Sequence, residues 1–125
     1  MIAVDTSTLI AYLKGEKGND IDELDTCLAS QIIALPPLVI TEIISDPKLP
    51  VKIIDNLLKI PLLELKQGFW ERAGLTRAKI ISKSLKCRVA DSIITQSCID
   101  HDIALITRDK DFRHFEKHTG LKVIW

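Results

Sequence analysis

The chain has 125 residues, 46% of them hydrophobic, and its 17 basic residues balance its 17 acidic residues. This length predicts one domain over residues 1–125, large enough to bury a core without disulfides or structural metals. No apolar run approaches the ~20 residues that span a bilayer, and residues 1–4 lack the basic start of a signal peptide, so we expect a cytoplasmic protein.

Charge is unevenly distributed along the sequence. Residues 1–65 carry 5 Lys against 6 Asp and 4 Glu, for a net charge of −5, whereas residues 66–125 carry 7 Lys and 5 Arg against 5 Asp and 2 Glu, for +5. The neutral total argues against nucleic-acid binding by bulk charge alone. The basic second half is compatible with a local phosphate-binding face, and equally with an ordinary solvated surface.

Short β-branched runs alternate with longer helical patterns along the chain. In chain order the patterns predict a strand at 2–4, helices at 7–13 and 21–29, a strand at 31–35, helices at 38–44 and 50–58, a strand at 60–65, helices at 68–85 and 89–101, a strand at 103–107, a helix at 111–117 and a strand at 121–124. Pro61 places the third strand at a sheet edge. This alternation predicts an α/β fold of three layers, with a five-stranded parallel sheet flanked by helices.

Four acids stand in hydrophobic or strand-ending contexts. Asp5 ends the first strand, Asp109 follows the fourth, Asp91 opens a helix, and Glu42 lies in an apolar helix. In open parallel sheets ligands bind beyond the carboxyl ends of the strands, where the strand order reverses, so Asp5 and Asp109 are expected to converge there. Taken singly, Asp5 and Asp109 could be turn or N-cap residues, Asp91 a helix N-terminal acid, and Glu42 part of a polar stripe.

Converging carboxylates repel one another and raise each other's pKa values, which a divalent cation relieves. Oxygen ligands without nearby His or Cys favour Mg²⁺ or Mn²⁺ over Zn²⁺. Such ions bridge to substrate phosphates, so the chemistry that this pattern predicts is phosphodiester hydrolysis.

The same residues carry a resemblance to a known family. The runs Val-Asp-Thr-Ser-Thr-Leu-Ile, Ile-Thr-Glu-Ile, Val-Ala-Asp-Ser-Ile-Ile and Leu-Ile-Thr-Arg-Asp-Lys-Asp-Phe occur in order across the chain. This set resembles the PIN domain, and within it the VapC-type toxins of toxin–antitoxin pairs. The resemblance implies a metal-dependent endoribonuclease with an RNA substrate, a small antitoxin partner and a homodimeric state.

Residue roles follow from the resemblance position by position. It implies that Asp5, Glu42, Asp91 and Asp109 are the metal-binding and catalytic acids, and that Asp111 either caps the next helix or reaches the metal through water. Supporting hydrogen bonds are expected from Thr6, Ser7 and Thr107. Candidates for phosphate contact are Arg88, Arg108, Lys110 and Arg113, for which solvated charges or ion pairs are the alternative.

Two other functions remain compatible with the sequence. One is an RNA-processing nuclease that is not a toxin, and the other is a nucleic-acid or protein interaction module that keeps the fold without cleaving. The presence of all four acids argues against the second. An aspartyl-phosphate phosphatase or receiver fits poorly, because Asp5 is followed by Thr6-Ser7 and no Lys follows the last predicted strand.

Overall fold

The computed structural model describes residues 1–125. Its regular elements are, in chain order, β1 (Ile2–Val4), α1 (Thr6–Leu13), α2 (Asn19–Ala29), β2 (Ile33–Ala34), α3 (Pro37–Ile44), α4 (Val51–Leu57), α5 (Phe69–Ile81), α6 (Val89–Asp100), β3 (Leu105–Ile106), a 3₁₀ turn (Lys110–Phe112), α7 (Arg113–Thr119) and β4 (Val123–Ile124). None of these helices combines the length and the apolar composition needed to cross a membrane.

The sheet is parallel throughout, with the strand order β2-β1-β3-β4. Ala3 of β1 pairs with Ala34 of β2 on one side and with Leu105 of β3 on the other. The predicted α/β fold with a parallel sheet flanked by helices is therefore confirmed. The predicted number of five strands is wrong, because the sheet has four.

The missing strand is the one predicted at 60–65, where the chain forms a single parallel bridge between Leu35 and Leu62. Leu35 N donates to Pro61 O, and Leu63 N donates to Leu35 O, each at 2.9 Å. The next rung of the ladder would need a donor at residue 61, and proline has no N–H. Pro61 therefore ends the ladder in one direction, and in the other direction the chain enters α3 at Pro37, which also has no N–H.

The core lies around the two central strands. Ala3, Val4, Leu105 and Ile106 are each 0% exposed, which is why β1 and β3 are apolar at every position instead of alternating. Around them α1 packs on α3, α3 on α6, and α5 on both α6 and α7, while α2 packs against β2 and β3.

Helix boundaries follow local chemistry. Pro37 occupies the first turn of α3, where its missing N–H costs nothing. Gly120 ends α7 at φ +80°, a conformation that favours glycine. The helix predicted over 68–85 ends earlier, at Ile81, followed by a tight turn in which Ser84 adopts φ +60°.

The topology creates a switch point between β1 and β3. The chain runs from β1 to β2 on one side of the sheet centre, and β3 is then added on the other side. The connections after β1 and β3 leave in opposite directions, which opens a crevice at the carboxyl edge between these strands. Asp5 directly follows β1, and Thr107 to Asp109 directly follow β3.

Candidate metal and active centre

Asp5 is held rigidly at the end of β1. The residue is 4% exposed and caps α1 by accepting from Ser7 N. Its Oδ2 accepts hydrogen bonds from Ser7 Oγ at 2.8 Å and from Thr107 Oγ1 at 2.9 Å. Burial raises the pKa of this carboxyl above its ordinary value, and the hydrogen bonds from Ser7 and Thr107 oppose the shift. Asp5 is thus an oriented, desolvated carboxylate.

Thr107 joins the ends of the two central strands. Its hydroxyl, which is fully buried, donates to Asp5 and accepts from Asp109 N at 3.0 Å. Asp109 in turn caps the 3₁₀ turn, because its Oδ1 accepts from Asp111 N at 2.9 Å. Phe112, 0% exposed, anchors this turn in the core. The predicted supporting residues Ser7 and Thr107 therefore both contact an acid of the crevice.

Three further carboxylates converge at this edge. Asp91, in the first turn of α6, is 8% exposed. Its carboxylate and those of Asp109 and Asp111 each offer one oxygen, and these oxygens all lie within 4.8 Å of one another. Asp109 and Asp111 thus both belong to this group, which we call the acidic cluster.

Arg88 lies across the acidic cluster. Its guanidinium nitrogens are 3.8 Å from Asp91 Oδ2, 3.7 Å from Asp109 Oδ2 and 3.3 Å from Asp111 Oδ2. The Arg88 side chain is 62% exposed, so these contacts are loose and open to solvent. A cation is therefore already favourable at this position.

Burial and neighbouring acids both raise the pKa of Asp91. Its pKa is raised from 3.8 to about 7, first because the carboxylate is buried and then because Asp5, Asp109 and Asp111 repel it, with Arg88 acting in the opposite direction. A carboxylate with such a pKa is costly to ionise alone. A divalent cation would remove that cost.

Although most of its neighbours in sequence are apolar, Glu42 is not buried. The side chain is exposed on α3, and its Oε1 accepts from Thr6 Oγ1 at 2.7 Å. This bond ties α3 to the first residue of α1, next to Asp5. Glu42 is not among the three acids of the acidic cluster, so the structure brings it to the rim of the crevice through Thr6.

The three basic candidates other than Arg88 each have a different environment. Arg108 turns towards the start of α2. It donates to Asp20 Oδ2 at 2.8 Å and Oδ1 at 3.0 Å, and to Lys17 O, in the turn before α2, at 3.1 Å. Lys110 Nζ lies 4.7 Å above the ring of Trp125. Arg113 is exposed and donates from Nε to Lys110 O.

Asp20 is a supporting residue outside the set of acids that the sequence pattern indicates. It is 5% exposed and accepts from Thr8 Oγ1 at 2.9 Å as well as from Arg108. The hydrogen bond from Arg108 is the main cause that lowers the pKa of Asp20. The Arg108–Asp20 pair holds the segment between Thr107 and Asp109 against the start of α2. No local sequence signal links these two residues, which are 88 positions apart.

The donor set fits a hard divalent cation. Asp91, Asp109 and Asp111 supply carboxylate oxygens, Asp5 lies close enough to raise the pKa of Asp91, and Arg88 shows that positive charge is stabilised there. Mg²⁺ and Mn²⁺ prefer such oxygen ligands and need only a few of them. The residues present could therefore hold one of these ions and present it to a phosphate.

Several solved structures share the fold. A chain of VapBC2 from Rickettsia felis, solved bound to a DNA fragment from its promoter, superposes with a TM-score of 0.78 at 18% identity, covering 100% of this chain and 99% of that one. FitAcB from Neisseria gonorrhoeae gives 0.72 at 16% identity, with 100% and 97% covered. VapBC-5 from Mycobacterium tuberculosis, a member of the VapBC family of toxin–antitoxin systems, gives 0.70 at 14% identity, with 98% and 96% covered.

Among curated protein sequences, none is significantly similar to this chain. The model of a domain family, however, matches almost its whole length. The match covers residues 2–118 and includes β1, β3 and the segments that carry Asp5, Asp91 and Asp109. Sequence match and fold agree, and the chain belongs to the PIN domain family.

Proposed function

We propose that the protein is a Mg²⁺- or Mn²⁺-dependent endoribonuclease that hydrolyses RNA phosphodiester bonds in the cytoplasm. The observation that carries this proposal is the acidic cluster of Asp91, Asp109 and Asp111 beside the buried Asp5, at the switch point of the sheet. Asp5 and Asp91 are buried, and the four carboxylates repel one another, so that binding of a divalent cation is favoured at this position.

The residues of the crevice would divide the work between binding the cation and orienting its ligands. Asp5, Asp91 and Asp109, with Asp111, hold the cation, which when bound neutralises charge on the scissile phosphate and acidifies a water molecule. Ser7 and Thr107 keep the Asp5 carboxylate in one orientation. Thr6 does the same for Glu42, whose exposed carboxylate can orient a water molecule at the rim through a hydrogen bond.

The test is cleavage of single-stranded RNA. Purified protein should cleave with Mg²⁺ or Mn²⁺ and stop with EDTA. Asp5→Asn should abolish cleavage while leaving the circular dichroism spectrum unchanged. Asp22→Asn, which alters an exposed carboxylate on α2, is the matched control and should cleave like the wild type. Full activity of Asp5→Asn, or activity that survives EDTA, would overturn the proposal.

We further propose that the nuclease is the toxin of a VapBC-type pair and that a small antitoxin binds it. Two of the similar structures carry the VapBC name, which supports this assignment. Co-expression with the reading frame that neighbours the gene should yield a stable complex without RNA cleavage. If no neighbouring product binds and expression is harmless to cells, the alternative of an RNA-processing nuclease is favoured. RNA binding without turnover under all conditions would favour a non-cleaving module.

A homodimer is the third part of the proposal. Trp70, Ile81 and Val89 are 63%, 46% and 55% exposed, and all three line one groove between α5 and α6. Clustered exposed apolar side chains of this kind are typical of protein–protein contacts. We expect sedimentation velocity to give a dimer and Trp70→Glu to give a monomer. A monomeric wild type at micromolar concentration would contradict this expectation.

A further inference from the structure

One surface outside the crevice concentrates positive charge. It is formed by side chains on α5, on the turn that follows α5, and on α7: Lys79, Lys83, His114, Lys117 and His118. We call it the α5–α7 basic surface. Along the sequence, residues 77–88 carry five basic residues and no acidic one.

The two helices bring their charges together. α5 packs against α7, and Lys79 lines the same depression as Thr119 at the end of α7. The pKa of His118 is consistent with this arrangement. It is lowered first by partial burial and then by the positive charges of nearby basic residues, namely Lys83, Lys117, His114 and Lys79. Residues of both helices therefore act on one point of the surface.

The charges point the same way and are not neutralised. On a helix, positions 114, 117 and 118 share one side, whereas Glu116 lies on the opposite side. Lys79, Lys83 and Lys117 are exposed, and every ion pair in the structure is formed by other basic residues. Unpaired lysines on one face are available to an external polyanion.

The α5–α7 basic surface adjoins the acidic cluster along two chain segments. α7 starts directly after the 3₁₀ turn that contains Asp111, so His114 is one helical turn from that acid. The turn after α5 passes through Lys86 and reaches Arg88, whose guanidinium contacts the acidic cluster. A chain that crosses the crevice can therefore continue onto α7, whose seven residues extend it by ~10 Å.

We propose that the α5–α7 basic surface binds the phosphate backbone of the RNA strand on one side of the scissile bond. The inference rests on the proposed nuclease function and names a second part of its substrate site. Lysines on flexible stems suit this task, because they contact phosphates without reading bases. An acidic protein segment would suit an isolated basic patch, but the continuity with the crevice favours the substrate itself.

The experiment measures RNA binding and cleavage separately. The Asp5→Asn protein is titrated, in EDTA, into a fluorescein-labelled single strand of about 12 nucleotides, a length within the site sizes of single-strand binders, and anisotropy is recorded at several salt concentrations. The test variant adds Lys79→Gln, Lys83→Gln and Lys117→Gln. The matched control adds Lys48→Gln, Lys52→Gln and Lys59→Gln, three exposed lysines from the first half of the chain. Melting temperatures check that all proteins are folded.

The expected result is a loss of affinity of about tenfold or more for the test variant and none for the control. The slope of log K against log salt is negative and should become shallower by about 2, because each phosphate contact with a single strand contributes about 0.7 and three lysines are removed. Equal affinity and slope for the test variant and the parent would overturn the inference. The same holds if polyglutamate of matched charge binds as tightly as RNA and only its binding responds to the three substitutions, which would assign the surface to an acidic protein.

Failure of the inference can be told apart from failure of the proposed function. Cleavage by the wild-type protein that Asp5→Asn abolishes supports the nuclease, whatever the lysine variant does. If the wild type neither cleaves nor binds RNA, both are overturned. If it binds through these lysines but never cleaves, the surface is supported and the nuclease is not.

Discussion

Thr107 and Asp5 are separated by 102 residues in sequence, yet the Thr107 hydroxyl donates to Asp5 Oδ2 at 2.9 Å. The same hydroxyl accepts from Asp109 N at 3.0 Å. One buried oxygen atom thus fixes the acid at the end of β1 relative to the acid after β3. Both groups belong to the crevice where we propose the metal.

Thr107→Val should uncouple these two acids. The substitution keeps the volume of the side chain but leaves Asp109 N and the Asp5 carboxylate each without one partner, at a cost of roughly 1–3 kcal/mol in unfolding free energy. We expect cleavage activity and Mg²⁺ affinity to fall about 10- to 100-fold, as for other residues that orient metal ligands. Thr107→Ser retains the hydroxyl and should restore most of both. Identical activity of the Val and Ser variants would contradict this role.

Stability without metal should decrease as the pH rises. The folded state binds a proton at Asp91 more tightly than the unfolded chain, because the pKa rises from 3.8 to about 7 on folding. The stabilisation is complete below about pH 4 and is lost as the pH increases through about 7. Thermal melting in EDTA between pH 5 and pH 8 measures the effect. Asp91→Asn, which stays neutral, should flatten this pH dependence, and an unchanged dependence would refute the assignment.

Added Mg²⁺ should reverse that trend. Because the ion binds the ionised carboxylates, its binding releases the proton of Asp91. The increase in melting temperature on adding Mg²⁺ should therefore be larger at pH 8 than at pH 6. Calorimetric titration in two buffers of different ionisation enthalpy would detect the released proton. A Mg²⁺ effect that is independent of pH would show that Asp91 is not a ligand.

Arg108 should matter for stability more than its exposure suggests. Arg108→Ala would leave the Asp20 carboxylate, which is 5% exposed, without its main partner; because the Arg108 side chain is itself 30% exposed, we expect a cost of about 1–3 kcal/mol. Lys122→Ala, which breaks an exposed pair with Asp102, is the control and should cost at most about 1 kcal/mol. Urea denaturation compares the two. Equal midpoints for the two variants would show that the Asp20 pair does not support the fold.

The Arg108–Asp20 pair should also make the stability of the protein depend on pH in the acid range. Arg108 lowers the pKa of Asp20 below its ordinary value of 3.8. The stabilisation from this group is present above pH 3.8 and is lost as the pH falls through the folded-state pKa. The difference between wild type and Arg108→Ala should therefore shrink as the solution is acidified below pH 4.

Asp109 and Asp111 should contribute unequally to activity. Asp109 is fixed by its bond to Asp111 N, and its side chain is 27% exposed, whereas that of Asp111 is 47% exposed. Asp109→Asn should abolish cleavage at any Mg²⁺ concentration. Asp111→Asn should raise the Mg²⁺ concentration needed for half activity and regain activity at high Mg²⁺. The reverse order of the two effects would place Asp111 as the essential acid.

The sequence was sufficient for most of the architecture. The apolar runs at β1 and β3 and the helical periodicity between them are local signals. The structure contains the strands and helices that they predict, with boundaries that differ by a few residues. The prediction of a strand at 60–65 was wrong because a run of apolar residues does not reveal which strand it must pair with. Only the register, which pairs Leu62 with Leu35, decides that Pro61 falls where the next donor of the ladder is needed.

The sequence also predicted which edge of the sheet would bring acids together, because the carboxyl ends of parallel strands meet at one edge. Asp5 and Asp109 were placed there by that rule alone. Tertiary structure decided the rest: that Asp111 joins Asp91 and Asp109, that Arg88 faces all three, and that Arg108 pairs with Asp20 instead of facing the crevice. The physical reason is that local pattern encodes backbone conformation and burial, whereas the partner of a charged side chain depends on which distant segments the packed fold brings within a few ångströms.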